Sequence, residues 1–331
     1  MKSPLSSVTA VGHGRVNLIG EHTDYNLGLA LPVTLPIGVT VQAALRSDWQ
    51  VTVQSGAFPE DGVVAFEAGA WRREGRWTDY VSAASALLAR EGIFEHGVSL
   101  TIASDIPPGA GLASSAALCV ALVKAMTTLG GVTLEPLDLA KLARAIETDF
   151  VGAPVGLMDQ IAAQGRPGGA QLIDFRDERV TPIEVSAALR LELVDTGLRH
   201  EHRSGGYAER RAECARACEL LGVASLRDVD GDVACVGRLP DPLSRRVRHV
   251  LTENQRVRDV VDSLSQGDHA RVGAIITASH DSLRDDYEVS LPAIDAIVAR
   301  ALQSPGVLGA RLTGGGFGGM VLQLSLAPTP S

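Results

Sequence analysis

The chain has 331 residues, 45% of them hydrophobic and 21% charged, with a formal net charge of −9. That length suffices for two sub-domains with real cores, and the negative balance argues against non-specific binding to nucleic acid or a membrane surface. MKSPLSSVTAV at the N-terminus lacks an apolar signal region, and no stretch approaches the roughly 20 apolar residues of a membrane span, so a cytoplasmic location is expected.

In chain order, alternating apolar residues predict strands at IGVTVQAAL (37–45), QVTVQS (50–55) and GVSLTIAS (97–104). TDYVSAASALLAREG reads as a helix with Thr78 as N-cap and Gly92 as its stop, and PLDLAKLARAIETDF as one opened by Pro136. After strands in AQLIDF and LELVDTG the balance shifts to helix, over 207–222, 241–266, 268–283 and 291–304, and GVLGARLT and MVLQLSL close the chain as strands. This mixture predicts an α+β protein of two domains, 1–186 and 187–331. The cysteines, Cys119, Cys214, Cys218 and Cys235, read as free thiols, Cys119 as a small core residue.

Four stretches carry candidate chemistry. GRVNLIGEHTDYNLG (14–28) packs Arg15, Glu21, His22, Asp24 and Tyr25 between glycines, a density that suits a metal, an acid/base pair, a ligand or plain solvation. A metal centre on Glu21, His22 and Asp24 is disfavoured, because adjacent Glu and His do not readily aim at one ion on regular structure. IPPGAGLASSAALCVALVKAM (106–126) delivers Ser114 and Ser115 to the start of an Ala-rich helix, whose free N–H groups and dipole suit a phosphate; the alternative is a serine-capped helix entry. LTGGGFGG formally fits G-x-G-x-x-G, but a strand comes after it, which excludes a dinucleotide fold and leaves a tight turn or a loop beside an active site. In ETDFVGAPVGLMDQ, Asp159 among apolar residues reads as a helix cap or a general base.

Together these stretches resemble the galactokinase branch of the GHMP small-molecule kinases. GRVNLIGEHTDYNLGLALP is similar to that branch's signature, PPGAGLASSAA to its phosphate loop and LTGGGFGG to its third motif, with VGLMDQ, YAERRAEC and SHDSLRDDYEVS matching between, from Gly12 to Val321. The resemblance implies a two-domain GHMP kinase fold, ribosomal-protein-S5-domain-2-like at the N-terminus and ferredoxin-like at the C-terminus, with the active site in the cleft between. It implies ATP-dependent phosphorylation of the anomeric hydroxyl of galactose, with Mg2+. By position it makes Asp159 and Arg15 catalytic, and Glu21, His22, Asp24, Gly156 and Tyr207 sugar contacts, with Glu21 and His22 toward the 6-hydroxyl. It gives ATP binding to Gly109, Ala110, Gly111, Leu112, Ala113, Ser114 and Ser115, with Trp77 and Tyr80 on the adenine side, and the metal to Ser115 and Glu147.

These residue types suit the chemistry. Phosphoryl transfer needs a hydroxyl placed in line with the γ-phosphate and neutralisation of growing charge; Asp159 would take the hydroxyl proton and Arg15 would stabilise the developing alkoxide. Other sugar 1-kinases on the same scaffold, acting on N-acetylgalactosamine, arabinose or a longer galacto-configured sugar, are the alternative, and a catalytically inactive sugar and ATP sensor a further one. Departures are GHGR before the signature, Ala110 and Ala113 in the phosphate loop, and a short C-terminus, which would leave an apolar surface uncovered or covered by a partner or second copy. A monomer or homodimer is expected. His280, Arg284 and Asp285 read as a helix end with solvated charges.

Overall fold

The computed structural model describes residues 6–153, 155–198 and 203–327. Along the first half, β1 is Ser7–Asn17, β2 Leu29–Ala30, β3 Pro32–Leu45, β4 Gln50–Ser55, β5 Val64–Glu67, α1 Thr78–Arg90, β6 Val98–Ser104, α2 Ser114–Leu129, α3 Pro136–Ala145 and α4 Met158–Ala162. The second half holds β7 Ala170–Asp174, β8 Arg179–Ile183, β9 Leu189–Asp195, α5 Arg203–Leu221, α6 Leu243–Gln266, α7 His269–Asp285, α8 Pro292–Leu302, β10 Val307–Thr313 and β11 Met320–Leu326. The chain forms two compact units, Met1–Arg15 with Thr34–Pro167, and Val16–Val33 with Gly168–Ser331. The single cut expected at 186/187 is therefore replaced by an exchange of segments. Strand pairing is the reason: β2 pairs with β7, Val33 with Ala170, and β7 with β8, so β7 joins these short segments.

In the first unit β3 runs antiparallel to β6 from Val39 opposite Ser104 to Leu45 opposite Val98; β6 is parallel to β4, which carries β5 antiparallel. Period-two burial in β4, with Val51 and Val53 buried between more exposed neighbours, is what QVTVQS predicts. α2 is apolar almost all round and accordingly buried, with Val120, Leu122, Val123 and Met126 excluded from solvent. β1 lies against it: a Cβ at Gly12 would sit 2.0 Å from the Ala117 carbonyl oxygen, so only glycine permits this approach. Thr78 is the first residue of α1, not its cap; Trp77 precedes it.

In the second unit β9, β11 and β10 form an antiparallel sheet with β11 in the centre. Val247, Val250, Leu283, Ile294, Val298, Leu312 and Val321 fill its core. Along α6 the apolar stripe is interrupted by His249, Glu253 and Asn254, all wholly buried. Buried polar side chains need partners, and each of these three has one in the segment between Gly20 and Leu29. Glu253 accepts from Gly20 N at 3.0 Å, Asn254 accepts from Leu29 N at 2.9 Å, and His249 Nε2 lies 3.2 Å from the Glu21 carbonyl oxygen. His280, read as solvated, is buried: Leu312 N donates to its Nδ1 at 3.3 Å and Asp295 lies 3.3 Å from its Nε2. It points inward from α7 onto β10, whereas Arg284 and Asp285 remain outside, paired with each other.

Candidate active site

In the first unit, Arg15 on β1 lies beside the loop that opens α2. Arg15 N donates to the Leu112 carbonyl at 3.2 Å, and Nη1 to the Gly111 carbonyl at 2.9 Å. The rest of the guanidinium faces Asp159 in the first turn of α4, Nε donating to Oδ1 at 2.8 Å and Nη2 to Oδ2 at 2.6 Å. Both side chains keep partial exposure, 15% and 24%, so the carboxylate remains open to a ligand.

The loop is built for backbone donors. Gly109, Gly111 and Ala113 all have left-handed φ, at 73°, 71° and 61°, and no side chain caps α2, whose N-cap is Ala113. The serine-capped alternative is thus not what the chain adopts, and the first N–H groups of a sixteen-residue helix, at the positive end of its dipole, have no side-chain cap. Ala113 holds a conformation that strains any residue with a Cβ, a kind of strain that clusters at ligand clamps. Ser115, in the first turn, hydrogen-bonds the Glu147 carboxylate, to which Gln160 Nε2 also donates. Glu147 lies in a π-helical turn, Ile146–Val151, that continues α3. Burial raises its pKa against the hydrogen bonds from Ser115 and Gln160.

Gly156 lies exposed in the loop before α4. Trp77 stacks on Phe58 with centroids 5.5 Å and planes 4° apart, and its Nε1 donates to Asp61 at 2.7 Å. Tyr80, one turn along α1, has its hydroxyl pKa raised by burial and then by the charge of Glu147.

In the second unit, Glu21 and His22 are buried and Asp24 opens a short 3-10 turn, Asp24–Asn26. Glu21 Oε1 accepts from Thr313 Oγ1 at 3.1 Å and Gly314 N at 2.7 Å, while Asn17 donates to Oε2. Arg311 Nη2 stands 2.8 Å from the same Oε2. LTGGGFGG is thus a strand-connecting turn between β10 and β11 whose first glycine is tied to the signature segment. His22 has φ 62°. Its Nδ1 lies 3.0 Å from Tyr25 Oη, which lies 2.8 Å from Tyr287 Oη. Its Nε2 is buried and has no hydrogen-bond partner among the described residues. Burial, with His249 and Arg210 nearby, lowers the His22 pKa to about 3, so the ring is neutral. Tyr207 on α5 brings its ring centroid 5.5 Å from that of His22.

The structure therefore joins Arg15 with Asp159, Ser115 with Glu147, and His22 with Tyr207. Gln160, Tyr287, His249, Glu253 and Arg311 do not stand out in the sequence as site residues. The readable signal is Glu253 and Asn254 in HVLTENQRV, polar residues on an otherwise apolar helix face.

Three family models match the chain: GHMP kinases N terminal domain over residues 79–165, galactokinase galactose-binding signature over 2–45, and GHMP kinases C terminal over 260–325. Galactokinase of Mycobacterium tuberculosis (strain H37Rv) is 44% identical over 317 residues, covering 94% of this chain and 87% of the relative. Galactokinase of Streptomyces coelicolor is 44% identical over 321 residues, covering 94% and 82%. Among solved structures, Lactococcus lactis galactokinase complexed with galactose matches with a TM-score of 0.88 and 31% identity, over 98% of this chain and 87% of that one. Mevalonate kinase of L. major, at TM-score 0.68 and 19% identity over 99% and 90%, shares the fold.

Proposed function

The chain belongs to the galactokinase family of GHMP kinases and phosphorylates galactose with ATP; from that premise we propose that the phosphate goes to the anomeric hydroxyl, with Asp159 as its base. The two-pronged Arg15–Asp159 pair, beside the Gly111 carbonyl and the entry to α2, is the observation that carries this reading. Asp159 accepts the hydroxyl proton, a contribution of roughly 10²–10⁴-fold. Arg15 holds the carboxylate in one orientation and stabilises the oxygen that loses the proton. The Gly109–Ser115 loop and the first turn of α2 hold the phosphates through backbone N–H groups.

Ser115 and Glu147 fit a magnesium ion: they are hard oxygen donors already in hydrogen-bond contact, and two such ligands suit an ion that keeps waters and substrate phosphates. Magnesium arriving with ATP would neutralise charge on the transferred group. Trp77 and Tyr80 take the adenine side. His22, with its unclaimed Nε2, accepts or donates at the 6-hydroxyl, and Glu21, Asp24, Gly156 and Tyr207 complete the sugar contacts. Among the described residues no helix is long and apolar enough to cross a membrane; use of ATP suits the cytoplasm.

The test is phosphate transfer from ATP to galactose, 2-substituted galactose and arabinose, with the position of the phosphate determined. Galactose should be turned over best and carry the phosphate on C1. Turnover of another sugar without galactose, or phosphate at another carbon, would contradict the proposal.

A further inference from the structure

Arg311, in β10, is wholly buried. Its Nη1 donates to the Leu18 carbonyl at 2.9 Å, its Nη2 forms an ion pair with the Glu21 carboxylate at 2.8 Å without hydrogen-bond geometry, and its Nε has no hydrogen-bond partner among the described residues. A guanidinium so placed is costly to desolvate, and an apolar side chain of similar volume is often as good or better for stability alone. The cation therefore points to a purpose besides packing, and its contacts show where that purpose lies. Both ends of Leu18–Glu21 touch Arg311, and the other Glu21 oxygen receives Thr313 and Gly314. The next residue along the chain, His22, is in a left-handed conformation, which persists only where the surroundings over-determine it.

We propose that Arg311 is a positioning residue for sugar recognition, which anchors the Glu21 carboxylate and so fixes the Glu21–Asp24 segment to the glycine turn after β10. It touches no substrate and acts through Glu21. This rests on the reading of Glu21, His22 and Asp24 as sugar contacts. Burial raises the Glu21 pKa, and the Arg311 cation opposes that rise.

The experiment is a kinetic cycle on the full chain with E21Q, R311K, R311M and E21Q/R311M, measuring KM for galactose, KM for ATP, kcat and thermal melting. R311M should raise KM for galactose by at least about tenfold, as removal of one partner of a buried charge pair does, while kcat and KM for ATP stay within about twofold. R311K should recover part of the loss, and the double variant should be no worse than the worse single one, since both remove the same link. Should R311M not fold, R311K and E21Q carry the test, and each must raise the galactose KM selectively. Equal changes in kcat and KM for ATP, or single losses that multiply in the double variant, would overturn the proposal. H22A separates the two levels: if it leaves KM for galactose unchanged, the sugar-contact reading fails; if it raises KM and the Arg311 variants do not, the positioning proposal alone fails.

Discussion

Arg15 and Asp159, 144 residues apart in the chain, meet as fork on fork, Nε to Oδ1 at 2.8 Å and Nη2 to Oδ2 at 2.6 Å. Such pairing fixes orientation as well as distance, and lysine cannot reproduce it. Arg15→Lys keeps the charge and loses the fork, so kcat should drop about 10²-fold, the scale of a misplaced reacting group. Steady-state kinetics check this, and a Lys variant within twofold of the parent would show that the fork is dispensable.

On the proposed magnesium role, Glu147 couples function to stability with opposite signs. Burial raises its pKa, so the folded state favours the protonated carboxyl: that contribution is complete below the unfolded pKa and is lost as pH rises through the higher folded one. Glu147→Gln should therefore raise the melting temperature of the ligand-free protein at neutral pH, each 1 kcal/mol giving roughly 2–4 °C. The same substitution should increase the magnesium concentration needed for half-maximal turnover at fixed ATP. A variant less stable than the parent, with unchanged magnesium dependence, would remove both roles.

Acid should act on the fold before it acts on sugar affinity. Burial lowers His22 to about 3 and His249 to about 4, from 6.5. The unfolded chain then binds protons first, and stability present above pH 6.5 falls as pH drops toward those values. Glu253 adds to the loss further down: burial pushes it up, but Arg256, His249 and Arg311 outweigh that and bring it to about 2, so its contribution fades between about 4.5 and 2. Glu21 and Glu147, both raised, act in the opposite sense. Melting temperature should decline from about pH 6.5 downward, while KM for galactose shows no histidine titration near pH 6.5 because His22 remains neutral. A galactose KM that titrates near 6.5 would place a protonating histidine at the sugar.

His22 offers a test on the substrate side. If its Nε2 meets the 6-hydroxyl, His22→Ala should weaken galactose by about tenfold or more, because hydroxyl-reading sites discriminate strongly. 6-Deoxygalactose, already lacking that partner, should lose little further. Equal losses for both sugars would move His22 away from C6.

Much of the fold is legible in the amino-acid sequence wherever periodicity is strong. QVTVQS and the helices from Pro136 onward declare themselves, and their order gives the fold class. β2 and β8 are not legible, because a two-residue strand and RVTPI carry too few residues to show a period. The interleaving of the units is hidden for the same reason, since it depends on those short ladders. Of the candidate site, the motif residues stand out by density and by their glycines. Arg311 does not, because in GVLGARLT it looks like the outward residue of an alternating strand, and only its partner Glu21, nearly three hundred positions away, makes an inward arginine tolerable. Tyr287 is hidden in the same way, by a hydroxyl chain to Tyr25 that local sequence does not encode.

The most direct test of the central claim is Asp159→Asn, assayed for galactose phosphorylation and, separately, for ATP and galactose binding by calorimetry. Turnover should fall by about 10²-fold or more while both ligands still bind, since the amide cannot take the hydroxyl proton yet fills the same space. Turnover near the parent's, with binding intact, would contradict the assignment of Asp159 as the base.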